Sequence, residues 1–222
     1  MSSNKKAIEL WLCRHGETEW NRSRRIQGQL DIPLNPLGQA QARRLGEVLA
    51  DQKFQAVVSS PLGRALQTAA PLAQLLDAAV LQRPAWAERH FGELQGQSFE
   101  DMAQVDPQAA AHWEARTPDF CPTGGESLLM LQARVVGGLQ DLLDQDLGTK
   151  LVCFTHGGVL DMVYRQAHGL DVSAPREWGI PNAGINRLVL QSGPGGELRL
   201  EMLSWGQIDH LGGLEQHESL GV

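Results

Sequence analysis

The sequence predicts an α/β fold: a three-layer sandwich with a mainly parallel central sheet and helices on both faces. Three observations point there. Short apolar runs alternate with stretches of helical periodicity along most of the chain. Two of those runs, ELWLC and LVCF, are apolar but for the leading Glu9, as strands covered on both faces are. Both then break into a His-Gly sequence, as a strand does where it passes into a loop at the sheet edge. The 222 residues are 42% hydrophobic and 20% charged, enough for a sizeable core. Nothing marks a split, so one domain spanning residues 1–222 is expected.

The first strand is read over Glu9 to Cys13, ahead of Arg14-His15-Gly16. Asn35-Pro36 with Gly38 opens a helix whose apolar positions Leu37, Ala40, Leu45, Val48 and Leu49 recur at helical spacing. Ala56 to Ser59 reads as a second strand, and Pro61 suits the first turn of a helix running to about Leu76. Val80 to Gln82 is a third strand, stopped by Pro84. From Ala85 to Gly125 the periodicity weakens, with Pro107, Pro118 and Pro122 interrupting it. This predicts an inserted segment of short helices and loops, a cap over about residues 89–125.

Glu126 to Gln145 is a long amphipathic helix, followed by a loop over Asp146 to Thr149. Leu151 to Phe154 is a buried strand ending in Thr155-His156-Gly157-Gly158, with a helix after it to about His168. Arg187 to Gln191 and Leu198 to Ser204 flank Ser192-Gly193-Pro194-Gly195-Gly196, a turn signal for a hairpin. Residues 211–222 are expected to be loosely ordered. There is no internal repeat.

Composition narrows the function. A net charge of -7 argues against a nucleic-acid surface, so any anion-binding cluster must be local. Cys13, Cys121 and Cys153 show no metal-ligand spacing and no disulfide framework; Cys13 and Cys153 sit in strand-like runs as core thiols. The short polar start has no apolar signal region, and no apolar run approaches membrane-spanning length, so a cytoplasmic protein is expected. Exposed apolar helix faces are of the kind that support a homodimer. Lys5-Lys6 reads as a solvated tail, whereas Arg22 to Arg25 stand where they would draw an anionic substrate towards His15.

In a sheet of this kind, sites form beyond the carboxyl ends of strands. Arg14-His15-Gly16 and Thr155-His156-Gly157-Gly158 both fall there, and an arginine offers phosphate a planar, forked set of donors. Arg64 lies in the first turn of a helix after a strand. A cation is mildly unfavourable there, because the helix end is already positive; it makes sense if an anion binds there too. By itself any one of these residues is unremarkable.

Together they carry a resemblance. Arg14 to Asn21 (RHGETEWN), Arg25-Ile26-Gln27-Gly28, Asp31-Ile32-Pro33-Leu34, Arg64 in SSPLGRALQTA, Glu88 in ERHFGELQG and His156 in THGG stand in this order. They resemble the signature blocks of the histidine phosphatase superfamily, which includes the cofactor-dependent phosphoglycerate mutases. The likeness runs from about residue 8 to 191. It implies that His15 accepts the phosphoryl group, that Arg14, Arg64 and His156 surround its oxygens, and that Glu88 protonates the leaving oxygen. Asn21 and the Gly157 backbone would add phosphate contacts, with Gln27 and Gly28 lining the substrate side. No metal or other cofactor is implied.

The chemistry agrees with these roles. Phosphoryl transfer needs positioning and charge neutralisation, and two arginines with a protonated histidine can form charge-assisted bonds to the phosphoryl oxygens. His15 must be neutral to attack, so one ring nitrogen should donate to a fixed acceptor, for which a backbone carbonyl suits better than Glu17. Glu88 must hold a proton, which partial burial or an anionic substrate favours. His90 helps line the entrance at most, and His112, His168, His210 and His217 fit no block.

Within the superfamily, ERHFG is close to the mutase wording ERHYG. Yet after Gln95-Gly96 the chain reads Gln97-Ser98, where mutases have a lysine for the second anionic group. The paired arginines of the mutase insertion are reduced to Arg116, and Gly124-Gly125-Glu126-Ser127 resembles the broad-specificity phosphatase branch. The expectation is therefore a phosphatase for small phosphorylated metabolites. The alternatives are a cofactor-dependent phosphoglycerate mutase and a phospholigand-binding protein without turnover.

Overall fold

The computed structural model describes residues 7–214. Six strands form one sheet: β1 Ala7–Arg14, β2 Ala56–Ser59, β3 Val80–Gln82, β4 Lys150–Thr155, β5 Ile185–Ser192 and β6 Leu198–Gln207. Their order is β3-β2-β4-β1-β5-β6. The pairs β1–β4, β2–β4 and β2–β3 are parallel, while β5 runs antiparallel to β1 and β6 antiparallel to β5. The sheet is thus mixed, with a parallel half that holds the site and an antiparallel hairpin at one edge.

Among the described residues seven α-helices accompany it: α1 Glu19–Arg22, α2 Pro36–Ala50, α3 Gly63–Leu76, α4 Phe99–Val105, α5 Pro107–Glu114, α6 Leu128–Asp144 and α7 Gly157–His168. Strand alternation explains the layering. In β1 and β4, Ile8, Leu10, Leu12, Leu151 and Cys153 face α6 and α7, where Val135, Leu139, Val159 and Val163 meet them. Trp11, Cys13, Val152 and Phe154 face the opposite way, onto Leu45 and Leu49 of α2 and Ala69 and Leu72 of α3. Each fully buried aliphatic side chain contributes roughly 1.5–3 kcal/mol. A separate small cluster, Ile26, Phe91, Leu94, Met102, Ala109 and Ala110, forms the inserted cap.

Helix starts follow their capping residues. Asn35, Ser98, Asp106 and Ser127 each accept a backbone N–H of the turn they open, in α2, α4, α5 and α6. Three readings of the sequence need correction. Pro61 lies ahead of α3 rather than in its first turn, because Leu62 is the capping residue and the chain first turns at Ser60, whose hydroxyl accepts the Leu62 N–H. Val48 is exposed; the inner face of α2 is made by Gly38, Gln41, Ala42, Leu45, Gly46 and Leu49, whose small members let α3 approach. Leu211 is buried against the α2 side of the sheet, so the expected loose tail does not begin at residue 211. Residues 215–222, and Lys5-Lys6 at the other end, lie outside the described residues. Among the described residues, no helix is long and apolar enough to cross a membrane.

Candidate active site

β1 and β4 are neighbours in register, Arg14 opposite Thr155, so the residues that follow them emerge side by side. The His15 and His156 rings lie 5.1 Å apart between centroids, both fully enclosed. The His15 backbone N–H donates to Thr155 at 3.0 Å, which ties the two loops together at the point where they leave the sheet.

His15 is held in one tautomer. Its Nδ1 lies 2.7 Å from the Gly16 carbonyl, and a carbonyl can only accept, so Nδ1 carries the proton and Nε2 keeps its lone pair. Burial pushes the imidazole well below its usual pKa, the charges of Arg64 and Arg14 add to this, and the Gly16 carbonyl opposes them. The ring is neutral at physiological pH. Gly16 itself must be glycine: a β-carbon there would run into the backbone of Gly38 in the first turn of α2.

Arg64 is 1% exposed, and three contacts fix it. Its Nη1 donates to Leu30 at 2.9 Å, its Nη2 to Gly28 at 2.7 Å, and its Nε to His15 Nε2 at 3.3 Å. The start of α3 is held in turn by Asp31, which accepts the Gly63 N–H at 2.7 Å. Arg14 donates from Nη1 to the Ile180 carbonyl. Burial lowers both guanidinium groups to about 10, with Glu88 opposing the shift in each, so both remain cationic at neutral pH.

His156 differs. Its Nε2 lies 2.7 Å from the Ser60 hydroxyl, and its Nδ1 is buried without a hydrogen-bond partner among the described residues. Burial, then Arg64, His15 and Arg14, push its pKa well down. His156, expected from the sequence to be protonated, is therefore held towards its neutral form by its surroundings. Three positive or basic neighbours in one enclosed space make a further proton too costly without an anion.

Glu88 closes the opposite wall. It is 6% exposed, and its carboxylate accepts the Arg89 N–H at 2.8 Å and the Gly158 N–H at 3.1 Å, at the start of α7. A side chain at Gly158 would collide with Glu88 Oε1, so this glycine lets the carboxylate reach the helix end. Asn21 accepts with its carbonyl oxygen from Thr18 and Asn182 and lines the pocket. Gln27 accepts from the Thr18 hydroxyl at 2.9 Å. One pocket is lined by Arg14, His15, Asn21, Gln27, Gly28, Arg64 and Glu88. Gly157 adjoins it, opening α7 beside the Arg14 guanidinium.

Other residues prove to be supports. Glu17 is buried and accepts Asn35 Nδ2 at 2.7 Å, a structural role, while the His15 ring nitrogens meet Gly16 and Arg64. His90 accepts the Gly92 N–H and keeps a local turn. Glu126 of the GGES sequence pairs with Arg134 at 2.7 Å. Arg134 also donates to the carbonyls of Ala85, Ala87 and Glu88, clamping the segment that bears the carboxylate. Arg116 is spent on Asp161 at 2.7 Å and on the Val172 carbonyl. Ser98 caps α4.

Sequence reasoning missed Ser60, Thr68, Arg134 and the segment 180–184. Thr68 accepts the Gly16 N–H, and Asn182 donates to the His15 carbonyl at 2.9 Å. Pro181-Asn182 was the one turn signal that marked this last segment, between an apolar helix and a strand.

A buried pair of histidines flanked by two enclosed arginines, at the carboxyl ends of parallel strands, defines a site for an anionic oxygen-rich group. Residues 10–201 match the histidine phosphatase superfamily, branch 1, and the chain belongs to that family. It is 36% identical over 206 residues to phosphoglycerate mutase-like protein 4 of Arabidopsis thaliana, covering 91% of this chain and 86% of that protein. It is 33% identical over 209 residues to a metal-independent phosphoserine phosphatase of the same plant, covering 93% and 84%. A solved mycobacterial glucosyl-3-phosphoglycerate phosphatase superposes with a TM-score of 0.79 at 29% identity, covering 91% of this chain and all of that one. The protein is an enzyme of histidine-phosphatase type, acting on phosphoesters.

Proposed function

We infer that the protein hydrolyses small phosphomonoesters through a phosphohistidine on His15. One observation carries this reading: the Gly16 carbonyl fixes the Nδ1–H tautomer, leaving a neutral Nε2 beside Arg64 at the floor of the pocket. In the first step the Nε2 lone pair attacks phosphorus. The ester P–O bond breaks, and Glu88 gives its proton to the departing oxygen. In the second step water attacks phosphorus, Glu88 takes the proton from water, and the N–P bond returns its electron pair to Nε2. Arg14 and Arg64 neutralise the phosphoryl oxygens throughout, joined by the Asn21 amide and the Gly157 backbone N–H. Phosphate in the pocket raises the pKa of His156 and lets it take up a proton as a further donor. Gln27 and Gly28 line the side on which the alcohol portion rests.

Hydrolysis is favoured over mutase action because the cations a mutase carries in its cap segment are absent or engaged here. Arg116 is committed to Asp161, and Ser98 serves as a helix cap. The relatives divide between both names, so the branch rests on these residues. The reading includes independence from divalent metal, since the two arginines supply the positive charge. It also places the protein in the cytoplasm, in keeping with three free cysteines.

Brief exposure to labelled phosphoester, quenched in base, should trap label that is stable to alkali and released by acid; His15→Ala should trap none. Equal labelling of that variant would overturn the nucleophile. Glu88→Gln should slow intermediate formation by about 10²–10⁴-fold with alkyl phosphates. It should act far less on p-nitrophenyl phosphate, whose phenolate leaves unaided. An equal effect on both would make Glu88 a structural residue.

A further inference from the structure

The pocket that holds His15 has two more arginines, at its rim, and the phosphoryl chemistry does not use them. Arg24 and Arg25 line it from the loop after α1 and are exposed, in contrast to Arg14 and Arg64 on its floor. Arg25 is anchored, its Nη1 donating to the Gly96 carbonyl at 2.9 Å. Arg24 has no hydrogen-bond or ion-pair partner for its side chain among the described residues. Its backbone is also unusual, with φ at 54°, just past the residue that caps the end of α1. Glycine or asparagine is the usual occupant of such a position, because a β-carbon is strained in the left-handed region. Here an arginine occupies it and faces the pocket.

The charge balance shows what this arginine is for. A phosphoryl dianion is matched by the two buried arginines, and the only carboxylate lining the pocket is Glu88, which acts on the leaving oxygen. The rim cations are therefore surplus to a substrate whose sole charge is its phosphate. They suit one with a second anionic group on the alcohol portion, on the side of the pocket where Gln27 and Gly28 lie. The cap arginines are already engaged, Arg116 with Asp161 and the buried Arg89 with the carbonyls of Glu126 and Phe120. We propose that Arg24, assisted by Arg25, is the specificity-determining residue of this enzyme, binding a carboxylate or second phosphate carried by the substrate. This rests on the phosphatase reading above and adds the class of ester that the site selects.

The test compares two esters of nearly the same shape: 3-phosphoglycerate, with a carboxylate, and glycerol 3-phosphate, with a hydroxymethyl group in its place. Wild-type enzyme should favour the carboxylate in kcat/KM. Arg24→Gln should lower that preference by about threefold to tenfold, through KM rather than kcat, as loss of one charge-assisted contact at an exposed site does. Arg24→Lys should restore part of it. Arg22→Gln is the control for charge alone. Arg22 is exposed, lies outside the pocket lining and is paired with Glu19 at 2.7 Å. If Arg22→Gln lowers the preference as much as Arg24→Gln, the effect is a diffuse field and the proposal fails. An unchanged preference in Arg24→Gln, or no preference in the wild type, also overturns it. Hydrolysis of p-nitrophenyl phosphate in the same preparation reports on the phosphatase reading separately. Loss of that activity would sink the reading, whereas a flat preference with it intact would sink only the role of Arg24.

Discussion

The ends of β1 and β4 present the same sequence device twice, a buried strand running into His-Gly, and the fold sets the two in adjacent register. Their histidines share burial, share two arginine neighbours, and are both held neutral. They differ in what bonds to the ring. Nδ1 of His15 donates to a carbonyl, a partner that admits one tautomer only, so Nε2 keeps its lone pair. Nε2 of His156 meets a hydroxyl, which can donate or accept, while Nδ1 is bare. The first ring is committed before any ligand arrives. The second can change protonation when an anion does. A few hydrogen-bonding atoms thus separate the proposed nucleophile from the proposed anion holder in surroundings that are otherwise alike.

The largest expected effect breaks the comparison outright. His15→Ala should abolish turnover of every ester, whereas His156→Ala should lower it by about 10²–10³-fold, as loss of one transition-state donor does. The His156→Ala protein should still accumulate phosphohistidine on His15, only more slowly. Phosphoenzyme that vanishes in both variants alike would show that the two rings are not functionally distinct.

The next effect concerns stability. Both rings have depressed folded-state pKa values, so below the ordinary histidine value of about 6.5 the unfolded chain binds protons that the folded chain refuses. The stabilising contribution is complete above that pH and declines as pH falls from it towards the lowered folded values. The slope is up to about 1.4 kcal/mol per pH unit for each ring. Chemical denaturation at pH 7.5 and 5.5 in phosphate-free buffer should show this loss. His156→Gln should remove about half of the two rings' share; an unaltered slope would mean that His156 is not held neutral.

The smallest effect sharpens the tautomer argument. Ser60→Ala removes the hydroxyl that steadies His156, and a single hydrogen bond contributes about 1 kcal/mol net, so activity should fall about fivefold. Labelling at His15 should persist. A fall as deep as that of His156→Ala would make the hydroxyl a direct participant.

Much of this was legible beforehand. LWLC and LVCF, apolar on both faces, called for a covered sheet, and the His-Gly sequences after them pointed to its edge as the place of the chemistry. The blocks from Arg14 through Arg64 to Glu88 supplied residues that line one pocket, and His156 packs against His15 behind it. Residues 56–59 and 80–82 were read as strands with the bounds they have. Such features are local: they depend on periodicity, capping and residue type within a few positions of chain.

What only the tertiary structure decided depends on partners distant in sequence. Arg134 lies 46 residues from Glu88, whose carbonyl it holds, and Ser60 stands 96 residues before His156. Asn182 reaches back to the His15 carbonyl across 167 residues. Neither arginine nor serine announces such a bond by its neighbours in the chain, since a long-range hydrogen bond leaves no periodic trace. The same holds for protonation. Sequence gave His156 as a cationic donor, but its charge is set by how many arginines the fold encloses with it and by the water the fold excludes. The residue types that can perform the chemistry are therefore written in the chain, and their working states are fixed by burial and by the charges that folding brings together.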